Sequence, residues 1–258
     1  MNASQTPAHG QDKAAERAYY ENLFSTRRKF NQFQVEIYER IAAEARDGTE
    51  GKRALDIGCG SGTQAVCLLE QGFDVVTMDL SFEAVKLASA AVAEAGGTVR
   101  AANADAELLP IRDQSLDACV CGLLLHHFPT LDTVAAELRR VVRPGGRVVA
   151  IDANGHNPFA FLFFNVVHRY YGLPHLTPNQ RALRKSEIRN VFSRFGFGDF
   201  SFDSMTSDLK RDWLGGSLAA QMNFYARRAV LGLSEVVLPQ ISRGNMLVAT
   251  FRRLPEGD

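Results

Sequence analysis

The stretch Asp56-Ile57-Gly58-Cys59-Gly60-Ser61-Gly62-Thr63 is where this 258-residue chain is best equipped for chemistry. The apolar run Arg53–Ile57 leads into it and a helical pattern from Thr63 to Gln71 leads out. It therefore lies at the carboxyl end of a strand, where ligands of open α/β sheets bind. Glycines let backbone turn sharply and let a ligand come close. The glycine spacing is G-x-G-x-G, and Thr63 stands where a dinucleotide fingerprint needs its last glycine. No Gly-Lys-Ser/Thr follows, so a phosphate-binding P-loop is excluded as well. Asp79 ends the next strand about 20 residues after Gly58, the place from which an acid accepts hydrogen bonds from ribose hydroxyls. Asp105 follows a third, weaker strand and is placed to accept from an exocyclic amine. Three carboxylates around one cleft repel a polyphosphate and suit a cationic nucleoside. His126-His127 and Asp152 sit beyond two further strands. Imidazole has the proton affinity to take a proton at neutral pH, a step needed wherever an acceptor must lose one.

The elements that must position these residues read as a regular alternation. RALDI (53–57), DVVTMDL (74–80), TVRAAN (98–103), LDACVCGLLL (116–125) and RVVAID (147–152) are strand-like. Thr63–Gln71, Phe82–Glu94 and Leu131–Val141 are helical, and Pro144-Gly145-Gly146 predicts a turn. Strands alternating with helices imply βαβ units and a parallel sheet with right-handed crossovers. Ahead of them, Lys13 to Ala45 reads as helical, with Tyr20, Phe24, Phe30, Phe33, Ile37 and Ile41 at three- and four-residue steps. Residues 1–12 are small and polar, the text of a disordered leader. Behind them come a helix start at Pro158, another at Thr177-Pro178, a helix over Ser186–Phe195, and two strands, FGDFSF (197–202) and MLVATF (246–251).

Lys+Arg and Asp+Glu both number 29, so the formal net charge is zero. A nucleic-acid binder usually carries a basic excess, and no nucleic-acid partner is expected. With 46% hydrophobic and 22% charged residues the composition is that of a folded globular chain. No apolar run approaches the roughly 20 residues of a membrane span, and no signal-peptide pattern opens the sequence. The expectation is a cytoplasmic protein whose four cysteines, Cys59, Cys67, Cys119 and Cys121, are reduced. Cys119 and Cys121 alternate on one strand face and read as small core hydrophobes. No cluster has metal-ligand spacing.

The pieces LDIGCGSG, VVTMDLS, NADAELLPI, LDACVCGLLLHHF and LRRVVRPGGRVVAID follow one another across residues 50–155. On these the chain resembles the class I S-adenosylmethionine-dependent methyltransferases, in particular the type 11 small-molecule group. The resemblance implies an α/β, Rossmann-like, seven-stranded and mostly parallel sheet. Helices cover both faces, the last strand is antiparallel, an N-terminal helical cap precedes the sheet, and a helical insertion precedes the last strand. It implies one domain: a cap over 13–47, a donor-binding core over 50–155, and acceptor-side helices with the last two strands over 156–258. Carried over, Gly58, Cys59 and Gly60 face the methionine part of S-adenosylmethionine and Asp56 orders their loop. Asp79 binds the ribose and Leu80 packs on adenine. Asp105 and the Ala106 amide meet the adenine edge, and Gly122 and Leu123 line the pocket. His126, His127 and Asp152 are the catalytic candidates, with His156 a further one. S-adenosylhomocysteine is the product, and the chemistry calls for no metal.

The implied activity is methyl transfer to a hydroxyl, or to an amine, of an apolar small molecule such as a natural product or a quinone- or lipid-like compound. RNA or protein methylation, and donor binding without catalysis, are the alternatives. Tyr19, Tyr20, Arg27 and Arg28 could cap the donor, or form a solvated charged face. The FAFLFF run and the apolar residues between 203 and 245 are open to three uses: a lid with an acceptor pocket, a homodimer interface, or a peripheral membrane contact.

Overall fold

Alternate residues of Leu116–Gly122 face opposite sides of a sheet, and here both sides are apolar, so the strand must be covered on both. In the computed structural model it is. The structure describes residues 12–26, 35–168, 177, 179–206, 222, 225, 228–230, 232–233 and 236–255. Its strands are β1 (Arg53–Ile57), β2 (Asp74–Asp79), β3 (Ala101–Asn103), β4 (Leu116–Gly122), β5 (Val142–Ala153), β6 (Phe197–Met205) and β7 (Met246–Arg253). They form one sheet in the order β3-β2-β1-β4-β5-β7-β6. β1 to β5 pair in parallel, while β7 runs antiparallel to both β5 and β6. This is the Rossmann-like sheet with an antiparallel last strand that the sequence leads one to expect.

The helices are α1 (Lys13–Thr26), α2 (Val35–Arg46), α3 (Thr63–Glu70), α4 (Phe82–Glu94), α5 (Asp132–Val141), α6 (Pro158–Phe161), α7 (Lys185–Arg194) and α8 (Gln240–Arg243). Cys119 and Cys121 join Leu55, Ile57, Val148 and Ala150 under α5 and α7, which contribute Leu138 and Phe192. Ala118 and Val120 face the other way and meet Ile41 and Ala45 of α2 and Leu68 of α3. All four cysteines are free and buried. Asn157 caps α6 by accepting from the Phe159 and Ala160 amides, with Pro158 in the first turn, and the helix continues in π-helical turns over Leu162–His168.

Two sequence expectations change, whereas the helical text from Lys13 to Ala45 is helix in α1 and α2, with residues 27–34 outside the described residues. Thr177 does not start a helix: its carbonyl accepts from Gln180 N at 3.1 Å in a turn. The backbone donors that follow are spent on the site loop and the sheet, Arg181 N on His126 O and Leu183 N on Ala153 O. Pro144-Gly145-Gly146 lies inside β5 as an irregularity between the pairs Leu116↔Val142 and Ala118↔Arg147. The leader 1–11, Arg27, Arg28, Trp213, Leu214, Leu218, Phe224 and Leu231 fall outside the described residues.

Candidate active site

Strand order reverses between β1 and β4, which opens a crevice at their carboxyl ends. Asp56, Gly58, Cys59, Gly60, Asp79, Leu80, Asp105, Ala106, Gly122, Leu123, His126, His127 and Asp152 lie at that end. The loop after β1 is pinned from below, Gly58 N and Cys59 N both donating to Met78 O at 2.8 and 3.0 Å. Gly60 has φ +50°, in the left-handed region that suits glycine. A Cβ on Gly62 would sit 2.6 Å from Ala88 Cα, so this glycine lets α3 approach α4. Asp79 Oδ2 accepts from Gly60 N at 3.0 Å and Oδ1 from Ser81 N at 2.9 Å. Each oxygen keeps a lone pair for a further donor. Burial raises the Asp79 carboxyl above the ordinary value.

Asp56 lies beneath the loop, 1% exposed, with the Ala65 backbone amide of α3 facing its carboxyl. Burial, then the neighbouring Asp79, lifts it to about 8. Leu80 follows Asp79 and is half-buried. Asp105 Oδ1 accepts from Glu107 N at 2.9 Å, and Oδ2 meets Lys13 Nζ of α1 at 2.6 Å. Lys13 also pairs with Glu107. The half-buried Ala106 lies between them. Gly122 ends β4, and Leu123 beyond it has φ +58°, a strained conformation for a branched side chain. Leu123 N donates to Ile151 O at 2.8 Å, which holds it there.

The two histidines occupy a short 3₁₀ turn, Leu125–His127, after β4. They are buried, with ring centroids 4.1 Å apart. Asp152 Oδ1, at the end of β5, lies 2.6 Å from His126 Nδ1 and accepts from the His126 backbone N–H at 3.1 Å. Burial lowers His126 to about 4 and raises Asp152 to about 8. The short contact to Asp152 ties the His126 imidazole down. His127 has partners from elsewhere: Tyr20 Oη lies 3.2 Å from Nε2, Glu16 Oε2 is 3.2 Å from Nδ1, and Thr177 Oγ1 is 3.4 Å from Nδ1. Gln180 Nε2 donates to Tyr20 Oη at 3.2 Å. Burial and the adjacent His126 lower the His127 imidazole, and Glu16 pulls it back up.

Sequence reasoning did not find Glu16 or Gln180, which reach His127 and Tyr20 across the fold. The helical spacing of Lys13, Glu16, Tyr20 and Phe24 was the available signal, because it sets all four on one face. That face lies along the crevice. Lys13 is at Asp105, Glu16 and Tyr20 are at His127, and Phe24 Cζ lies 3.5 Å from the Cβ position of Gly60. Glu21 beside it accepts from the Phe82 and Glu83 amides at the start of α4. His156 lies apart from this cluster and accepts from Lys185 N at 3.1 Å. Among the described residues no group of three or more His, Cys, Asp or Glu side chains is arranged to hold a metal ion.

Asp79, with acceptor capacity left on both oxygens, beside a left-handed glycine turn fits the ribose of a nucleoside donor. Known proteins agree. A family model described as a methyltransferase domain matches residues 55–150. The chain is 34% identical over 164 residues to the ubiquinone biosynthesis O-methyltransferase of Paraburkholderia phymatum, covering 62% of this chain and 67% of that protein. It is 30% identical over 185 residues to the demethylmenaquinone methyltransferase of Bacillus velezensis, covering 64% and 79%. Phosphoethanolamine N-methyltransferase 2 of Haemonchus contortus, solved with S-adenosylhomocysteine, shares the fold with a TM-score of 0.61 at 18% identity, over 86% of this chain and 57% of that one. The chain belongs to the class I S-adenosylmethionine-dependent methyltransferases. It is a methyl-transferring enzyme that takes S-adenosylmethionine as its donor.

Proposed function

We propose that this enzyme methylates a hydroxyl of an apolar small molecule of the quinone-precursor or lipid-like class. The observation that carries this reading is the buried histidine pair with an acid at each ring, set beside the donor loop. A hydroxyl acceptor must lose a proton, and general-base help is worth about 10²–10⁴-fold. An amine that arrives neutral needs none. The relatives named for ubiquinone and menaquinone biosynthesis support the class of acceptor. So does the apolar character of the acceptor side, where Phe159, Leu162 and Phe163 are exposed. Among the described residues no helix is long and apolar enough to cross a membrane.

S-adenosylmethionine supplies a methyl already activated on sulfonium. The chain's part is to orient, exclude water and hold a proton. In this reading Gly58, Cys59 and Gly60 receive the methionine part and Asp56 braces their loop. Asp79 takes the ribose hydroxyls, Leu80, Asp105 and Ala106 take the adenine, and Gly122 and Leu123 wall the pocket. For the adenine amine to meet Asp105, Lys13 has to share that carboxylate. His127 Nε2 receives the acceptor's proton, directly or through Tyr20 Oη, and His126 with Asp152 fixes the turn that carries it.

Two measurements test this. S-adenosylhomocysteine should bind the wild-type protein in a calorimeter, with Asp79→Ala weakening it by about 1–3 kcal/mol through lost partners for buried hydroxyls. Unchanged affinity would displace Asp79 from the ribose. Incubation with methyl-labelled donor and, separately, a short-chain prenylated catechol, a fatty acid and bulk tRNA should label the catechol hydroxyl. Label on the tRNA alone would overturn the acceptor class.

A further inference from the structure

We propose that Glu16 is the positioning residue of the base: it holds the proton of His127 on Nδ1 and leaves Nε2 as the proton acceptor, facing Tyr20 Oη. The inference rests on the reading of His127 as the base. Glu16 belongs to α1 and is 3% exposed, an unusual place for a carboxylate unless it has a job with a partner. Its Oε2 lies 3.2 Å from His127 Nδ1, while Oε1 has no hydrogen-bond partner among the described residues.

The direction of the hydrogen bonds follows from which groups can only donate or only accept. A carboxylate only accepts, so the Glu16 contact calls for a proton on Nδ1. An amide NH₂ only donates, so Gln180 Nε2 gives a proton to Tyr20 Oη, and the phenol's own proton is left to point at His127 Nε2. Both ends of the chain Gln180–Tyr20–His127–Glu16 therefore select the same tautomer. Thr177 Oγ1, at 3.4 Å from Nδ1, adapts to either. The other ionisable groups around the ring are His126 beside it, Asp152 from β5 and Asp79 from β2. None of the three reaches Nδ1 within hydrogen-bond distance. Asp152 is engaged with His126 and Asp79 with the glycine loop.

The position of Glu16 in the sequence gives this contact a further consequence. It rides on the same helix face as Lys13 at Asp105 and Phe24 at Gly60. One helix both covers the donor loop and sets the tautomer of the base.

The test uses full-length protein with ¹⁵N-labelled histidine, free of ligand, read by long-range ¹H–¹⁵N correlation at pH 7. The His127 signal is assigned by its loss in His127→Gln. The wild-type ring should carry its proton on Nδ1. Glu16→Gln should lower the ring's titration midpoint by about one pH unit, since it removes an opposite charge while leaving an acceptor for Nδ1, and Glu16→Asp should restore most of that shift. A wild-type ring protonated on Nε2 overturns the proposal with no variant needed. So does a folded Glu16→Gln protein with the wild-type midpoint. Turnover of a prenylated catechol by His127→Gln judges the base reading separately: wild-type turnover there would sink the base assignment while leaving the tautomer result to stand.

Discussion

Asp56 shows how far a single buried group couples chemistry to stability. Burial and Asp79 hold it near 8, far above an unfolded value near 3.8. A group raised on folding stabilises the native state fully below its unfolded pKa and loses that contribution as the pH climbs through its folded pKa. Asp152, at about 8, acts in the same sense. The ligand-free protein should therefore melt at progressively lower temperature from pH 6 to pH 9, and Asp56→Asn should flatten part of that slope. Melts at four pH values for both proteins check it, and an identical slope in the variant would assign the decline to other groups. At this scale the acids were legible, because Asp56, Asp79 and Asp105 stand at fixed offsets from strand ends. Glu16 and Gln180 were not. Their meaning lies in a contact with His127 or Tyr20 made across more than a hundred residues of chain, and no local pattern encodes that pairing.

Elements position the site through loops that other elements hold. The stretch after Asp105 has little regular structure of its own, and α5 supplies what it lacks. Arg140 donates to Leu109 O at 2.8 Å and Ile111 O at 2.6 Å, and reaches Asp113 and Glu137. Glu137 in turn accepts from Leu109 N at 2.7 Å, and Arg140 beside it holds its carboxyl below the ordinary range. Arg140→Ala should loosen the loop that carries Asp105 and Ala106. Donor affinity should fall about five-fold, the equivalent of about 1 kcal/mol, with turnover at saturating donor nearly unchanged. A loss of turnover with intact affinity would show that α5 serves the reaction rather than the adenine loop. Helix existence was readable here because α5 repeats its apolar residues at three- and four-residue steps, Val134, Leu138 and Val141. The Thr177-Pro178 start failed because a proline after a threonine marks a helix entry only if the following amides are free to build the helix. Here they serve His126 and β5.

For the whole molecule, the sheet separates what holds the fold from what does the chemistry. The crevice sits between β1 and β4, whereas a cluster of aromatic rings among the described residues packs two strands away under α7. Phe251 of β7 is fully buried, with ring centroids 4.6 Å from Phe192, 5.3 Å from Phe197 and 5.4 Å from Phe200. The resemblance implied seven strands with the last antiparallel, but the strand order was not legible, since alternation implies a parallel sheet and not that β7 inserts between β5 and β6. The insertion is what brings these phenylalanines together. Residues 197 and 251 are distant in sequence and meet only because the last strand returns antiparallel between its neighbours. If stability and site are separated in this way, Phe251→Ala should cost about 3–5 kcal/mol of unfolding free energy, read by urea titration. The same variant should bind S-adenosylhomocysteine at low temperature with wild-type affinity, because the sheet between β4 and β7 is packed on both faces and holds the crevice in place. A matching loss of donor affinity would show instead that the aromatic cluster and the donor crevice yield together, as one cooperative unit.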